Sequence, residues 1–272
     1  MTSTFQHRTL PNGLTILAEP NPAAHSFAAG IFVRAGSRDE PTRLNGVSHF
    51  LEHMLFKGNA RLDALAMNRV FDEMGARYNA YTTQEQTAYY GQVVPQFAGR
   101  LLGHLRELFA PAIRVEDFDM EKKVILEEIA MYNDEPGQRV YERAMEEHFA
   151  SHPLGLSVIG TPEVITPMKR DDMAGYFAQH YGPSNAVLTA AGRFDVDWLY
   201  EQALKLYGDW QGPRVERAYA DPKPTGRRLD LVDAKLNRAY VMALTPGPTA
   251  QDEERFAARV LADVVGDAEG SR

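Results

Sequence analysis

The stretch GVSHFLEHMLFKG, residues 46–58, carries the pattern from which the fold and the candidate chemistry of this chain can be worked out. It predicts a helix from about residue 46 to 56, because a glycine follows at the position where helices commonly end. His49 and His53 are four residues apart, so both imidazoles project from one face of that helix and can reach a single ion. Glu52 shares the face, where its carboxylate can take a proton from a water molecule beside the ion.

A pattern with three fixed positions also arises by chance, and the alternative interpretation is a helix with three polar residues on a partly solvated face. A catalytic zinc site needs a third protein ligand, and since the chain has no cysteine, that ligand must be a histidine or a carboxylate. We predict it on a helix at about residues 114–134, whose apolar residues form one continuous arc. Glu121 and Glu128 lie near the centre of that arc, where a carboxylate is unfavourable unless it is paired or bound to a cation.

Glu128 is therefore the predicted third zinc ligand, and Glu121 is predicted to orient a ligand or the water. Glu127 lies at the edge of the arc and is expected to be solvated. The alternative is that one of the two central glutamates pairs with a buried arginine or lysine. Either outcome places this helix beside the core.

The composition excludes several classes of partner. The chain has 29 Lys+Arg against 37 Asp+Glu, a net charge of −8, and no run of basic residues interleaved with aromatics, so no nucleic acid partner is expected. No apolar stretch reaches membrane-spanning length, and no membrane association is expected. The first residues, MTSTFQHRTLPNG, have the pattern of neither a signal peptide nor a transit peptide, so we expect a cytoplasmic location.

The predicted elements run from strands to helices and back to strands, which favours an α+β sandwich with helices packed on one face of a sheet. An Asn-Gly pair predicts a hairpin near the start, because such pairs supply the positive φ angles of tight turns. Strands are predicted at about 5–10, 14–18, 26–35, 77–94 (two strands) and 186–191, and further helices at about 63–74, 95–109, 138–150, 171–181 and 196–207.

The chain is predicted to divide into a zinc-binding α+β domain at residues 1–210, a linker at 211–228 and the start of a second domain at 229–272. The linker is rich in proline, glycine and charge. Beyond it we predict a strand pair at about 229–243 and a helix at 251–265, too little to form a stable domain alone. The second domain is expected to be cut short at GDAEGSR.

Several stretches together resemble the pitrilysin, insulinase and mitochondrial-processing-peptidase family of zinc peptidases. They are HFLEHMLFKG (49–58), VILEEI (124–129), LPNGLTI near the start, YNAYTT (78–83) and HYGPSNAVL (180–188). The resemblance implies a two-layer α+β sandwich of a mixed, largely antiparallel sheet, repeated in a second, similar domain.

By position, the resemblance implies a role for each residue of the predicted site. One zinc ion would be held by His49, His53 and Glu128, with Glu52 as the catalytic base and Glu121 as the supporting carboxylate. It also implies that the strand beside the zinc binds an extended substrate through its backbone at Asn79 and Ala80, which is the β-augmentation mode of peptide recognition.

Three functions are compatible with these features. The first is a zinc-dependent endopeptidase that acts on unfolded peptides or short polypeptides. The second is a non-catalytic or incomplete subunit, since in the family a second half supplies an arginine and a tyrosine to the site. This would require a homodimer or pairing with a second homologous half or chain. The third is a metal hydrolase with a substrate other than a peptide.

Overall fold

A six-stranded mixed sheet organises the computed structural model, which describes residues 5–217 and 221–266. The strand order is β1-β2-β6-β3-β5-β4, and every neighbouring pair is antiparallel except β2 and β6, which are parallel. The strands are β1 (Gln6–Thr9), β2 (Thr15–Pro20), β3 (Phe27–Val33), β4 (Arg77–Thr82), β5 (Thr87–Val93) and β6 (Ala186–Gly192). The predicted strands of the first 210 residues are therefore present, in the mixed and largely antiparallel sheet that the resemblance implies.

Helices of residues 5–210 cover one face of this sheet, and one further helix lies later in the chain. They are α1 (Val47–Leu55), α2 (Ala64–Glu73), α3 (Ala98–Leu108), α4 (Val115–Asp134), α5 (Pro136–Phe149), α6 (Pro162–Ile165), α7 (Arg170–His180), α8 (Val196–Tyr207) and α9 (Arg255–Gly266). Along β3 the side chains of Phe27, Ala29, Ile31 and Val33 point into the hydrophobic core, at the alternate spacing expected of a strand with one covered face. The predicted two-layer α+β class is confirmed.

The first hairpin illustrates how local sequence sets local structure. Gly13 has φ +94°, a left-handed conformation that glycine adopts without strain, and the turn joins β1 to β2. The Asn12 side chain then donates hydrogen bonds to the carbonyl oxygens of Tyr207 and Trp210, at 2.7 and 3.2 Å. This turn is therefore tied to the end of α8, far away in the sequence.

The strand pair predicted for residues 229–243 is wrong. This segment has no ladder partner, and its apolar side chains are exposed, with Val232 at 96% and Val241 at 91% of full exposure. Strands need a pairing partner and an apolar face that packs on another layer, and the described chain offers this segment neither.

The helix predicted at the end of the chain is present as α9, although it begins four residues later than expected. Most of the GDAEGSR stretch lies outside the described residues, and the division into domains at 1–210, 211–228 and 229–272 stays a prediction. Within residues 5–217 and 221–266, no helix has both the length and the apolar character needed to cross a membrane.

Candidate metal centre

Helix α1 lies with one face in the core and the other toward a cleft. Phe50, Leu51 and Met54 are fully buried, which anchors the helix between the sheet and α4. His49 is 9% exposed, and it projects with Glu52 and His53 from the face that borders the cleft. The helical spacing that was read from the sequence therefore separates the anchoring residues from the candidate chemical residues.

A buried carboxylate fixes the start of α1. Glu40 accepts hydrogen bonds from the backbone N–H groups of Gly46 and Ser48, both at 2.7 Å, and from the Asn45 side chain at 2.9 Å. Burial raises the pKa of Glu40 to about 7, although these donors favour the charged form. The first turn of the helix, which leads directly into His49, is thus held from outside the helix.

Helix α4 buries a narrower stripe than the sequence predicted. Its buried residues are Phe118, Glu121, Ile125 and Ile129, whereas the apolar Met120, Val124 and Met131 are 63, 42 and 56% exposed. Part of the predicted apolar arc is therefore wrong, because only one side of α4 meets α1 and the core. Glu121 nevertheless lies within the buried stripe, Glu128 is half-buried beside it, and Glu127 is exposed as expected.

His49, His53 and Glu128 converge on one point between α1 and α4. One ligand atom from each lies within 4.8 Å of the others. Glu128 Oε2 is 3.8 Å from His49 Nε2 and 3.7 Å from His53 Nε2. Two ligands of a tetrahedral zinc ion, at bond lengths of about 2.0–2.1 Å, are separated by about 3.4 Å, so this donor set fits zinc in both chemistry and spacing.

Glu121 contacts the ring nitrogen of His53 that does not face the other candidate ligands. Its Oε1 is 2.8 Å from His53 Nδ1, so when His53 carries its proton on Nδ1 the Nε2 lone pair is directed to the point that it shares with His49 and Glu128. Its Oε2 pairs with Lys57 Nζ at 2.5 Å. The expected supporting role and the alternative, a buried ion pair with a lysine, therefore both describe the contacts of this one carboxylate.

The electrostatics of the centre favour a cation. Three carboxylates, those of Glu52, Glu121 and Glu128, surround the two imidazoles, against the single ammonium of Lys57. An excess of buried negative charge is unfavourable unless a cation compensates it. The centre therefore has the charge as well as the geometry of a divalent metal site.

The protonation states of the two imidazoles differ. Burial, helped by the neighbouring His53, lowers the pKa of His49 to about 4, so this ring is neutral and has a free lone pair at neutral pH. Burial also opposes charge on His53, but the hydrogen bond that His53 donates to Glu121 and the charges of Glu121, Glu128 and Glu52 outweigh it and raise the pKa. A proton therefore competes with a metal ion for the His53 ring more strongly than for the His49 ring.

Glu52 stands beside the three candidate ligands. Burial raises its pKa, and the charge of Glu128 acts in the same direction, while a hydrogen bond from Thr82 and the charge of His53 lower it. A raised carboxylate pKa brings the group closer to the range in which it can both accept and return a proton. A place beside the candidate ligands and a raised pKa are two features that a general base needs.

The predicted substrate strand, β4, forms the edge of the sheet next to this centre. It pairs with β5 on one side, and its other side has no strand neighbour within the described residues. Asn79 is exposed, and its Oδ1 accepts the Ala80 N–H at 2.9 Å. A cleft beside β4 is lined by His49, Glu52, Ala80 and Thr82, and a second pocket is lined by Glu52, His53, Asn79 and Ala80. Each predicted substrate residue therefore borders a space that the predicted base also lines.

Sequence reasoning missed three residues that support this centre, namely Glu40, Lys57 and Thr82. Lys57 had a usable signal, because it lies four residues after His53 and can continue the same helical face. Thr82 follows Ala80 at strand period and so shares its face. Glu40 lies in a loop, and nothing in its sequence surroundings indicates that it folds back onto the start of α1.

Two histidines and a glutamate lie around one point, with the Glu52 carboxylate alongside and an open sheet edge next to them, which is the arrangement that the resemblance to zinc metallopeptidases implies. A family model described as "Insulinase (Peptidase family M16)" matches residues 15–162, and one described as "Peptidase M16 inactive domain" matches residues 167–272. The chain belongs to this insulinase family of metallopeptidases, as the resemblance in its sequence motifs indicated.

Known relatives give the same assignment. The chain is 34% identical to an uncharacterized zinc protease of Streptomyces coelicolor, over 99% of this chain and 60% of the relative. It is 30% identical to a probable mitochondrial-processing peptidase subunit beta of Arabidopsis thaliana, over 95% of this chain and 50% of the relative. The chain thus spans between half and two thirds of the length of these relatives.

A solved structure described as a protease from Helicobacter pylori has the same fold. It superposes with a TM-score of 0.84 over 99% of this chain and 67% of its own length, at 19% sequence identity. At that identity the likeness supports the fold alone.

Proposed function

We propose that this chain is the metal-binding part of a zinc-dependent endopeptidase that hydrolyses unfolded peptides or short polypeptides. The observation that carries the proposal is the convergence of His49, His53 and Glu128 on one point, with Glu52 beside them. The names of the relatives, which include zinc proteases and a processing peptidase, support both the metal and the reaction class.

Each residue has a role in this proposal. His49, His53 and Glu128 would hold the zinc ion, which when bound polarises the substrate carbonyl and acidifies a water molecule. Glu52 would accept the proton of that water and return it to the leaving amine. Glu121, through its hydrogen bond to His53 Nδ1, would keep the second imidazole in the tautomer that a ligand needs.

Peptide binding is assigned to the free edge of β4. An extended peptide would add to the sheet there by main-chain hydrogen bonds at Asn79 and Ala80, which requires an unfolded substrate but little specific sequence. Because Asn79 Oδ1 already accepts the Ala80 N–H at 2.9 Å, a peptide that uses this N–H would have to displace the Asn79 side chain.

A second candidate function is an incomplete subunit that needs a second homologous half or a partner chain for activity. Two observations favour it: the chain covers 60% of the Streptomyces relative, and residues 167–272 match a domain model described as inactive. Pairing with such a half, or homodimer formation, is part of this proposal. The cytoplasmic location expected from the sequence stays a prediction.

The test replaces Glu52 by glutamine in this protein. We expect one zinc per site to be retained, while cleavage of a fluorogenic unstructured peptide falls by about 10²–10⁴-fold, because the general base is lost and the ligands remain. The control is Glu127→Gln, which removes an exposed carboxylate next to Glu128 and should change neither zinc content nor rate.

The outcomes separate the three candidate functions. Cleavage by Glu52→Gln at the wild-type rate would refute the proposed role of the base. A wild-type protein that binds zinc and cleaves peptides only when a second chain is added would support the incomplete-subunit function. A zinc-loaded protein that hydrolyses other substrates but no peptide would favour a different metal hydrolase.

A further inference from the structure

The Glu52 side chain is held by one short hydrogen bond. Its Oε2 accepts a hydrogen bond from Thr82 Oγ1 at 2.5 Å, and within the described part of the chain no other side chain forms a hydrogen bond with it. A glutamate has three rotatable side-chain bonds, so without a fixed partner its carboxylate can occupy several positions. The direction in which this carboxylate points is therefore set by Thr82.

Thr82 is itself held in place. It is the last residue of β4, where it pairs in register with Thr87 of β5, and the two hydroxyl oxygens are 3.5 Å apart. Thr87 is completely buried and donates its own proton to the carbonyl oxygen of Ala35 at 2.9 Å. Threonine is restricted at χ1, so the position of Thr82 Oγ1 is well defined, and its O–H forms the shorter of its two contacts with Glu52.

The same strand also carries the predicted peptide-binding residues. Ala80 lies two positions before Thr82, so their side chains share one face of β4, and both residues line the cleft with Glu52. A peptide added to the edge of β4 would therefore be positioned by the strand that also positions the base.

We propose that Thr82 is a positioning residue for Glu52, and that its hydroxyl keeps the carboxylate directed at the water rather than turned into the cleft. The inference rests on the proposed function, in which Glu52 is the base. In this scheme the peptide bonds to the strand at Asn79 and Ala80, and within the described residues no hydrogen bond joins the Thr82 side chain to a candidate metal ligand. Loss of the Thr82 hydroxyl should therefore reduce the rate of the chemical step without weakening substrate or zinc binding.

The test compares Thr82→Val, which keeps the shape and removes the donor, with Thr82→Ser, which keeps the donor. In the zinc-loaded protein we expect Thr82→Val to lower kcat about 10–100-fold, the range typical of lost supporting hydrogen bonds at metal sites. KM and zinc stoichiometry should stay within about twofold of wild type, and Thr82→Ser should recover most of kcat.

Thr189→Val is the matched control. Thr189 lies in β6, and its hydroxyl donates to the carbonyl oxygen of Gly30 at 3.3 Å, away from the centre. This variant makes the same chemical change in a strand of the same sheet, and kcat should be unchanged. If Thr82→Val does not fold, the pair Thr82→Ser and Thr82→Ala gives the same comparison of a present and an absent hydroxyl.

Crystal structures of the zinc-loaded variants give a readout that does not depend on activity. The Glu52 carboxylate should keep its position in Thr82→Ser and leave it in Thr82→Val. An unmoved carboxylate in Thr82→Val, or equal kcat losses in the valine and serine variants, would overturn the inference. If the wild-type protein cleaves no peptide, the proposed function fails, and the crystal structures still decide whether Thr82 positions Glu52.

Discussion

Residues 5–210 and residues 221–266 have similar apolar residues but use them differently. In the first region, phenylalanines such as Phe27 and Phe50 are completely buried between the sheet and the helices. In the second region, Val241 is 91% exposed and Phe256, on the amphipathic helix α9, is 67% exposed. Apolar content alone does not build a core, because burial requires a second layer, and only the first region has both layers.

The second region still contacts the first at defined points. Asp233 pairs with Arg139 at 3.0 Å, and the Thr225 hydroxyl donates a hydrogen bond to the carbonyl oxygen of Glu147 at 2.6 Å. Arg217, in the segment between the two regions, forms a buried ion pair with Asp39, with Nε 2.6 Å from Oδ1. All candidate metal ligands, the candidate base and the candidate peptide-binding residues nevertheless lie in the first region. The geometry of the centre therefore depends on the packing of residues 5–210. Substitutions in the two regions should differ strongly in their effects on stability and zinc binding.

The largest expected difference is in stability. Phe50 lies on the buried face of α1 and is completely buried, and its ring stacks on that of Phe118 with centroids 4.8 Å apart. Phe50→Ala should lower the free energy of unfolding by about 3–5 kcal/mol, because it removes buried apolar surface and leaves a cavity. Val241→Ala should change it by less than about 0.5 kcal/mol. Urea denaturation measures both, and similar effects for the two variants would show that the second region is packed in solution.

Zinc should stabilise the first region in particular. At a free zinc concentration of about 100 times the Kd, ligand linkage adds about 2.7 kcal/mol to the free energy of unfolding. We expect this gain in the wild type and in Glu127→Ala but not in Glu128→Ala. Amide hydrogen exchange should slow in α1 and α4 and stay unchanged in residues 229–243. Equal stabilisation of Glu128→Ala would remove this glutamate from the ligand set.

A smaller change in the free energy of unfolding is expected from pH, because Glu40 holds the start of α1. The pKa of Glu40 is raised from 4.5 to about 7 in the folded protein, so between these values the folded state holds a proton that the unfolded state has released. Its contribution to stability is therefore greatest below about pH 4.5 and is lost as the pH rises through 7. Between pH 5 and 8 the wild type should lose about 2 kcal/mol relative to Glu40→Gln. If the free energies of unfolding of the two proteins changed with pH in the same way, the raised pKa of Glu40 would be contradicted.

Much of the centre was predictable because the spacing of its residues along two helices places them on one face of each helix. His49, Glu52 and His53 share a face of α1 by sequence alone, and α4 brings Glu121 and Glu128 to the same place, although its buried stripe is narrower than predicted. The width of that stripe could not be read from periodicity, since the exposed apolar residues of α4 have the same residue types as the buried ones. Their exposure depends on where neighbouring elements end.

The sequence by itself determined the strands and all the helices of residues 5–210 except the short α6, together with the hairpin at Asn12-Gly13 and the faces of α1 and β4, because a helix repeats every 3.6 residues and a strand every two. Only the tertiary structure decided that β6 inserts between β2 and β3, that Thr82 donates its proton to Glu52, and that residues 229–243 form no strand pair. These features depend on which distant segments meet. That is decided by the competition among all segments for buried surface and backbone partners, and local spacing does not encode it.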